Sequence, residues 1–348
     1  MRPGPSMGRG RAFASDRLRR LEFFVVASIA LFVAAAAVAA MAAGGREVLH
    51  DLGRVGGTVL VAMLGLSLVN YGARAWRWQA FGRRLGLDVP FRRTLLYYVA
   101  GFAMTTTPGK VGEALRLWLL ERCHGYRYDR LAPLFVADRM SDMIAILLLA
   151  VLGIAAFPQQ GWLVLLALAL VAALTMLFAR PGLTVPAVGL CYRLSGRRAR
   201  RIHARARSAA RRTSRLFTPR LLLVALALSL AGWAAECLAF TLLLDALGAP
   251  LGFAAASFVF AFSASVGAVS LLPGGLGGVE ATMIALLLAL GVDFQTALAA
   301  TLVIRLTTLW FGVGLGFLAL PSALRLARGR SPGLSGRAGE GMEAGTSP

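Results

Sequence analysis

The sequence has few of the residues that build metal sites and disulfide frameworks. It contains three cysteines and three histidines in 348 residues, and neither set is clustered. A structural zinc site needs several Cys or His ligands close together, and a disulfide framework needs paired cysteines. We therefore expect no disulfides, no metal ion and no other cofactor.

Acidic residues and lysine are also scarce. The chain has 16 Asp and Glu against 37 Lys and Arg, and Lys110 is its single lysine. A net charge of +21 would suit a nucleic-acid partner if it lay on a soluble basic domain, but no segment is long enough to form one. We therefore expect no nucleic-acid partner.

Apolar residues, in contrast, are abundant. They make up 58% of the chain, whereas soluble domains contain roughly 45–50%. This excess indicates an integral membrane protein. Most basic residues lie in five groups between the apolar runs, as in cytoplasmic loops that face anionic headgroups. We expect its partners to be membrane lipids, including the anionic headgroups of the inner leaflet.

Six apolar runs have roughly the 20-residue length that crosses a bilayer. They lie at about residues 21–43, 55–76, 131–157, 162–179, 221–244 and 296–320. This pattern predicts an all-α polytopic protein of the plasma membrane with both termini in the cytoplasm. We expect a basic tail at residues 1–20, a transmembrane domain at 21–320 with an arginine-rich loop at 180–220, and a disordered tail at 321–348.

Two further apolar segments are interrupted by Pro and Gly. The first, at residues 93–122, has basic residues at both ends and contains PGKVGE; the second, at residues 252–291, has no basic residue and contains PGGLGGVE. Because positive charge marks the cytoplasmic side, these segments predict two re-entrant helix pairs that open to opposite faces. Their similarity predicts an inverted repeat with a site near the membrane midplane. The alternative is that PGG is a simple loop.

Each interruption offers a binding site for an anion. A helix that restarts after the break presents unpaired N–H groups and the positive end of its dipole, and glycine lets a phosphate approach the backbone. The candidate residues of the first break are Pro108, Gly109, Lys110, Gly112, Glu113 and Arg116. Those of the second break are Pro273, Gly274, Gly275, Gly277 and Glu280. The alternative for Glu280 is an ordinary acid in the first turn of a helix.

Other charged residues lie within the apolar runs, where each costs about 2.5 to more than 10 kcal/mol unless it has a partner. Asp138 and Asp142 share a helix face, and Arg139 is spaced to pair with Asp142. A salt-bridged helix end at the membrane surface would show the same pattern. Glu236 and Arg305 lie near the middle of their runs. We expect both to face the bundle interior, where Glu236 is a candidate proton carrier.

Several of these motifs occur together in one known family. They are NYGARAWRW at the end of the second run, PGKVGEALR, VADRMSDM, the run with Trp233 and Glu236 that ends in DALG, LPGGLGGVE, and Arg305 with Trp310 and Gly312, in this order between residues 20 and 320. In these motifs the chain resembles the transmembrane domain of lysylphosphatidylglycerol synthases and its stand-alone, flippase-like relatives. The resemblance implies a role in moving or handling amphipathic lipids between leaflets. It does not imply lysyl transfer, which belongs to a separate soluble domain in the two-part synthases.

Three functional hypotheses follow. The first is a flippase-like lipid transporter that binds an anionic or zwitterionic headgroup in a charged intramembrane cavity. The second is a membrane transferase that acts on polyprenyl-phosphate-linked lipids, with Asp138 and Asp142 as its candidate acids. The third is an accessory protein that delivers lipid to a lipid-modifying enzyme.

Overall fold

The described part of the chain is helical. The computed structural model describes residues 53–107, 111–154, 218–269 and 273–328, together with isolated positions between 155 and 217. No strand occurs among these residues, which confirms the predicted all-α class. The helices are α1 (Gly57–Arg84), α2 (Phe91–Ala100), α3 (Val111–His124), α4 (Tyr128–Ile154), α5 (Pro219–Ala246), α6 (Gly252–Val269), α7 (Gly278–Ala289), α8 (Phe294–Arg305) and α9 (Phe311–Arg328).

Three helical stretches in the described residues are long and apolar enough to cross a membrane. They are α1, α5 and the continuous stretch of α8 and α9 at Phe294–Arg328, and they match three of the predicted runs. The 27 residues of α4 reach about 40 Å at 1.5 Å per residue, but this helix contains three charged residues within its apolar run. The predicted runs at 21–43 and 162–179 lie outside the described residues, apart from isolated positions.

The second Pro/Gly segment forms two short helices joined by a tight turn. Helices α6 and α7 have 18 and 12 residues, and a 3₁₀ turn at Pro273–Gly275 precedes α7. Gly274, Gly275 and Gly277 have φ values of 62°, 68° and 83°, which residues with a Cβ rarely adopt. The Pro-Gly-Gly sequence therefore breaks the helix here, as the sequence predicts.

Close packing holds this helix pair together beside the turn. A Cβ at position 267 in α6 would lie 2.2 Å from Val279 Cγ2 in α7, so only glycine allows this approach. On its other side α6 packs against α4, where a Cβ at Gly153 would lie 2.3 Å from the Cβ of Phe258. The glycines at these positions thus let neighbouring helices approach closely, as small residues commonly do between membrane helices.

The first Pro/Gly segment is also built from two short helices. Helix α2 continues into a 3₁₀ turn at Gly101–Met104, and α3 starts at Val111. Pro108, Gly109 and Lys110 lie outside the described residues. Gly112 and Glu113 are described only as helical backbone of α3, so the side chain of Glu113 is not among the described groups. The 3₁₀ turn packs closely against α9 at Gly316. A Cβ at this position would lie 2.2 Å from the backbone N of Ala103, so there is no room for a side chain.

Helix caps explain several boundaries between these elements. At the start of α8 the side chain of Asp293 accepts a hydrogen bond from the backbone N–H of Thr296 at 2.9 Å. This hydrogen bond holds the pKa of Asp293 below its ordinary value. Pro219 occupies the first turn of α5, where a missing N–H costs nothing.

The last helix extends beyond the boundary predicted for the disordered tail. Helix α9 contains Pro321 and ends at Arg328, so residues 321–328 are helical. Proline removes one helical hydrogen bond, but the apolar residues on both sides continue the helix. Arg325 and Arg328 in the last turn complement the helix dipole. Residues 329–348 lie outside the described residues.

Two hydrophobic clusters form the interior. One joins residues of α1, α4, α5, α6, α7 and α8, including Met63, Phe240 and Met283. The other joins residues of α1, α2, α3, α4, α5 and α9, including Tyr98 and Leu119. Helices α1, α4 and α5 contribute to both clusters, and the polar side chains described next lie largely on these three helices.

Candidate functional site

A cavity of ≈ 240 Å³ lies between the two Pro/Gly segments. Because a water molecule needs only about 10–15 Å³ of such volume, there is room for a polar group. Its wall includes residues of both hydrophobic clusters, such as Phe102 and Met283. Six residues predicted for the site line it: Arg116, Arg139, Glu236, Gly274, Gly275 and Arg305. Residues distant in sequence thus meet in one place.

Asp138 and Asp142 lie beside the cavity in a network of ion pairs. Both bind Arg77 of α1, which is fully buried: its Nε donates to Asp138 Oδ1 at 3.1 Å, and its Nη1 donates to Asp142 Oδ1 at 2.8 Å. The Asp142 carboxylate also pairs with Arg74 at 2.8 Å and Arg139 at 3.2 Å. The two aspartates do share a helix face, and the pair between Arg139 and Asp142 is present.

This network has a consequence for the transferase hypothesis. The oxygens of Asp138 and Asp142 already accept hydrogen bonds from buried guanidinium groups, and Trp233 Nε1 donates to Asp142 at 3.1 Å. General acid–base catalysis needs a carboxyl group that can reach the substrate and exchange a proton. The geometry therefore assigns these aspartates to ion pairing in the described arrangement.

Arg116 of α3 reaches the cavity through a group of aromatic rings. Its guanidinium carbon lies 3.8 Å from the ring centroid of Tyr98 and 5.1 Å from that of Phe102. Its Nε donates to the backbone carbonyl of Tyr98 at 3.2 Å. The residue is only 4% exposed, and it forms no ion pair with any acid that the structure describes. Cation–π contacts of this kind contribute about 0.5–2 kcal/mol, but they do not neutralise the positive charge.

Glu236 is a buried acid in the wall of the same cavity. It is 3% exposed in the middle of α5, and its Oε1 accepts a hydrogen bond from Asn70 Nδ2 of α1 at 2.5 Å. The two helices approach closely because position 232 is glycine, where a Cβ would lie 2.8 Å from Asn70 Oδ1. Within the described residues Glu236 has no ion pair, although it lines the same cavity as Arg116.

Glu280 and Arg305 hold the second break in shape. Glu280 Oε2 accepts a hydrogen bond from the Gly277 N–H at 2.7 Å, and its Oε1 accepts one from Arg305 Nε at 2.6 Å. Arg305 Nη2 also donates to the carbonyl of Gly274 at 2.8 Å. Glu280 is therefore a capping acid at the start of α7 and, in addition, the ion-pair partner of Arg305. One amide of this helix start is consequently occupied by the protein itself.

A π-helical turn follows Arg305 directly. It spans Leu306–Trp310, and the Tyr71 hydroxyl donates to the carbonyl of Thr308 within it. A π turn leaves backbone groups outside the regular hydrogen-bond pattern, and Tyr71 satisfies one of them. Gly312 gives the tyrosine room, because a Cβ there would lie 2.9 Å from its hydroxyl oxygen. Such turns are frequent at functional sites, and this one forms part of the cavity wall.

Four residues of α1 belong to this site and are absent from the sequence-based candidates. They are Asn70, Tyr71, Arg74 and Arg77. The motif NYGARAWRW contains all of them, and Asn70, Arg74 and Arg77 recur at helical spacing of four and three residues. A polar stripe on an otherwise apolar helix was the signal that identifies them.

Comparisons with known proteins agree with these features. Residues 25–316 match the family model described as "Lysylphosphatidylglycerol synthase TM region". A UPF0104 membrane protein of Methanothermobacter thermautotrophicus is 26% identical over 286 residues, which cover 76% of this chain and 84% of that protein. A further match to a UPF0104 membrane protein of this organism has 37% identity over 89 residues, 26% of this chain and 27% of the relative.

Proposed function

Because this chain belongs to the lysylphosphatidylglycerol synthase transmembrane-region family, we propose that it is a flippase-like lipid transporter. The cavity between the two Pro/Gly segments would bind an anionic or zwitterionic lipid headgroup, while the acyl chains stay in the bilayer. Family membership and the apolar helices make it a membrane protein with a lipid-related role. The identity of the cavity as the headgroup site is our proposal.

The observation that carries this proposal is that the buried Arg116 forms no ion pair with any acid whose side chain the structure describes. A buried charge without a counter-ion is unfavourable, and a phosphate group would supply the missing negative charge. The guanidinium group of Arg116 can donate two parallel hydrogen bonds to phosphate oxygens, which a lysine cannot do. The Tyr98 and Phe102 rings hold this group in a fixed orientation. An anion entering the cavity would therefore meet a preorganised partner.

The other charges around the cavity are largely balanced by each other. Arg74, Arg77 and Arg139 pair with the two aspartates of α4, and Arg305 pairs with Glu280. With Arg116 and Glu236 included, five arginines face four acids among the side chains that the structure describes. These described side chains leave a net positive environment in which Arg116 has no acid partner, which favours a ligand with negative charge.

The predicted topology gives this site a route to both leaflets. In our proposal, six spanning helices surround two re-entrant helix pairs that form an inverted repeat, with both termini in the cytoplasm of the cell. Residues from each pair, such as Phe102 and Gly275, line the cavity. Pairs that enter from opposite faces would allow access to the cavity from each leaflet in turn.

The experiment measures lipid translocation in proteoliposomes. Fluorescent phosphatidylglycerol is placed in both leaflets, and the fraction that an impermeant reductant quenches is followed with time. We expect Arg116→Gln to slow translocation at least tenfold, because the substitution keeps hydrogen-bonding groups but removes the charge. Arg127→Gln is the matched control, since its side chain is 87% exposed. Equal rates for Arg116→Gln and the wild type would refute the proposed headgroup site.

A further inference from the structure

Glu236 is the cavity acid for which no arginine partner is present among the described residues. Asp142 pairs with three arginines and Glu280 with Arg305, whereas Glu236 accepts one hydrogen bond from the neutral amide of Asn70. A buried carboxylate with a single neutral donor is unfavourable. Binding a proton would remove this cost without any rearrangement of the helices.

Asn70 is suited to either protonation state of Glu236. Its Nδ2 donates to the carboxylate, while its Oδ1 is buried and accepts no hydrogen bond from any described group. An amide has a donor on one side and an acceptor on the other. Rotation of this amide by half a turn would let Oδ1 accept a hydrogen bond from a protonated Glu236. The unpartnered oxygen is therefore an independent indication that the site accommodates a proton.

The charged and titratable groups near Glu236 come from several of the helices around it. Asn70, Tyr71 and Arg74 face the cavity from α1, Arg116 from α3, Arg139 from α4 and Arg305 from the end of α8, while α6 contributes the apolar Phe260 and Ala264. Asp142 accepts a hydrogen bond from Trp233 Nε1, and Trp233 itself lines the cavity. Cys237 follows Glu236 in α5. Arg74 and Arg305 line the cavity together with Glu236, and each has another acid as its ion-pair partner.

From this arrangement we propose that Glu236 is a proton-binding site, and that an anionic headgroup entering the cavity is accompanied by uptake of one proton there. This inference rests on the proposed function for its ligand, although the proton site itself does not require transport. A headgroup phosphate and an ionised Glu236 would place two negative charges in one cavity of low dielectric constant, which favours the neutral carboxyl group. The proton comes from water and forms the O–H bond of the carboxyl group; no other bond changes.

Such coupling has a defined sign. By linkage, if anion binding strengthens proton binding, protonation strengthens anion binding by the same factor. Affinity for an anionic lipid should then fall as the pH rises, by up to about tenfold per pH unit for one proton. The lipid anion and the proton would together carry no net charge through the protein. A cationic headgroup at Glu236 would instead release the proton, so the sign also reports the ligand's charge.

The test combines two measurements on the purified full-length protein. Infrared difference spectroscopy as a function of pH detects the carbonyl stretch of a neutral carboxyl group. A pH indicator in weak buffer measures proton uptake when dihexanoyl phosphatidylglycerol is added, since its phosphodiester does not titrate near neutral pH. Both are performed on the wild type, on Glu236→Gln, which keeps the hydrogen bond from Asn70, and on Asp245→Asn. Asp245 is an exposed acid at the end of the same helix.

The expected result is a titrating carboxyl band and uptake of up to one proton per bound lipid in the wild type and in Asp245→Asn. Both signals should be lost in Glu236→Gln. Proton release, or binding without any proton change, would overturn the proposed coupling. If the lipid does not bind at all, the headgroup site fails, and the infrared band still decides whether Glu236 binds a proton. If Glu236→Gln does not fold, a wild type without a titrating band would refute the site by itself.

Discussion

Removing Arg77 should destabilise the protein more than removing any exposed arginine. Its side chain is fully buried and donates to Asp138, Asp142 and Ser229 at once. In Arg77→Leu, Asp142 would keep its pairs with Arg74 and Arg139. Among the residues that the structure describes, Asp138 would keep only Arg139 as an ion-pair partner, at 3.4 Å. Loss of one partner from a buried ion pair costs about 3–5 kcal/mol of the free energy of unfolding. Asp138 is only 1% exposed, so its pair with Arg77 is a buried ion pair.

The free energy of unfolding can be measured in bicelles by titration with sodium dodecyl sulfate, with helix content followed by circular dichroism. We expect a loss of about 3–5 kcal/mol for Arg77→Leu and less than about 1 kcal/mol for the exposed control Arg127→Leu. The double variant with Asp138→Leu should recover much of the loss, because no carboxylate is then left unpaired. A loss below about 1 kcal/mol for Arg77→Leu, or no recovery in the double variant, would contradict the reasoning.

Three further outcomes are expected in the same unfolding assay. Gly267→Ala should cost about 1–3 kcal/mol through overpacking against Val279, and adding Val279→Ala should restore part of it; equal stability of Gly267→Ala and wild type would contradict the close contact. Glu280→Gln should cost about 1.5–3 kcal/mol, because Arg305 loses a charged acceptor. Asp293→Ala should cost about 1 kcal/mol near neutral pH through loss of the cap. Because the pKa of Asp293 is lowered in the folded state, its carboxylate stabilises the fold at pH values above the ordinary pKa of 3.8. This stabilisation disappears as the pH falls through the folded-state pKa. The free energies of unfolding of the variant and the wild type should therefore become equal in acid.

The sequence predicts the second break well because its cause is local. Pro273 and the following glycines determine the turn, and Gly274, Gly275 and Gly277 do adopt the positive φ that favours glycine. Glu280 fills the role given above as the alternative to a binding residue, that of an acid in the first turn of a helix, because it accepts a hydrogen bond from the Gly277 N–H. The pair between Glu280 and Arg305 joins residues 25 apart. No local rule selects Arg305 over another buried cation, so its partner could not be chosen from the sequence.

Only part of the ion-pair network could be predicted from the sequence, because some of its pairs join residues that are far apart in the chain. The pairing of Arg139 with Asp142 follows from their spacing along one helix, and it occurs at 3.2 Å. Arg77 lies 61 and 65 residues from its two acids, and from the sequence it belongs to a basic cluster after an apolar run. The close packing of α1 against α5 and the position of α4 bring it into the interior. The polar stripe on α1 could have marked Arg77 as a candidate, but only the tertiary structure shows which acids it meets.

The geometry of Arg77 also explains why arginine suits this interior. Its Nε and both terminal nitrogens bind Asp138, Asp142 and Ser229 from one planar group. A lysine offers one compact, strongly hydrated charge, which could not reach both carboxylates with this geometry and would lose more hydration energy on burial. The same planar group at Arg116 lies against aromatic rings and donates from Nε to the carbonyl of Tyr98, and in our proposal its terminal nitrogens bind the headgroup. One side-chain type would therefore serve two purposes: in the network of α1 and α4 it neutralises acids, and at the proposed headgroup site it would supply a positive charge to the ligand.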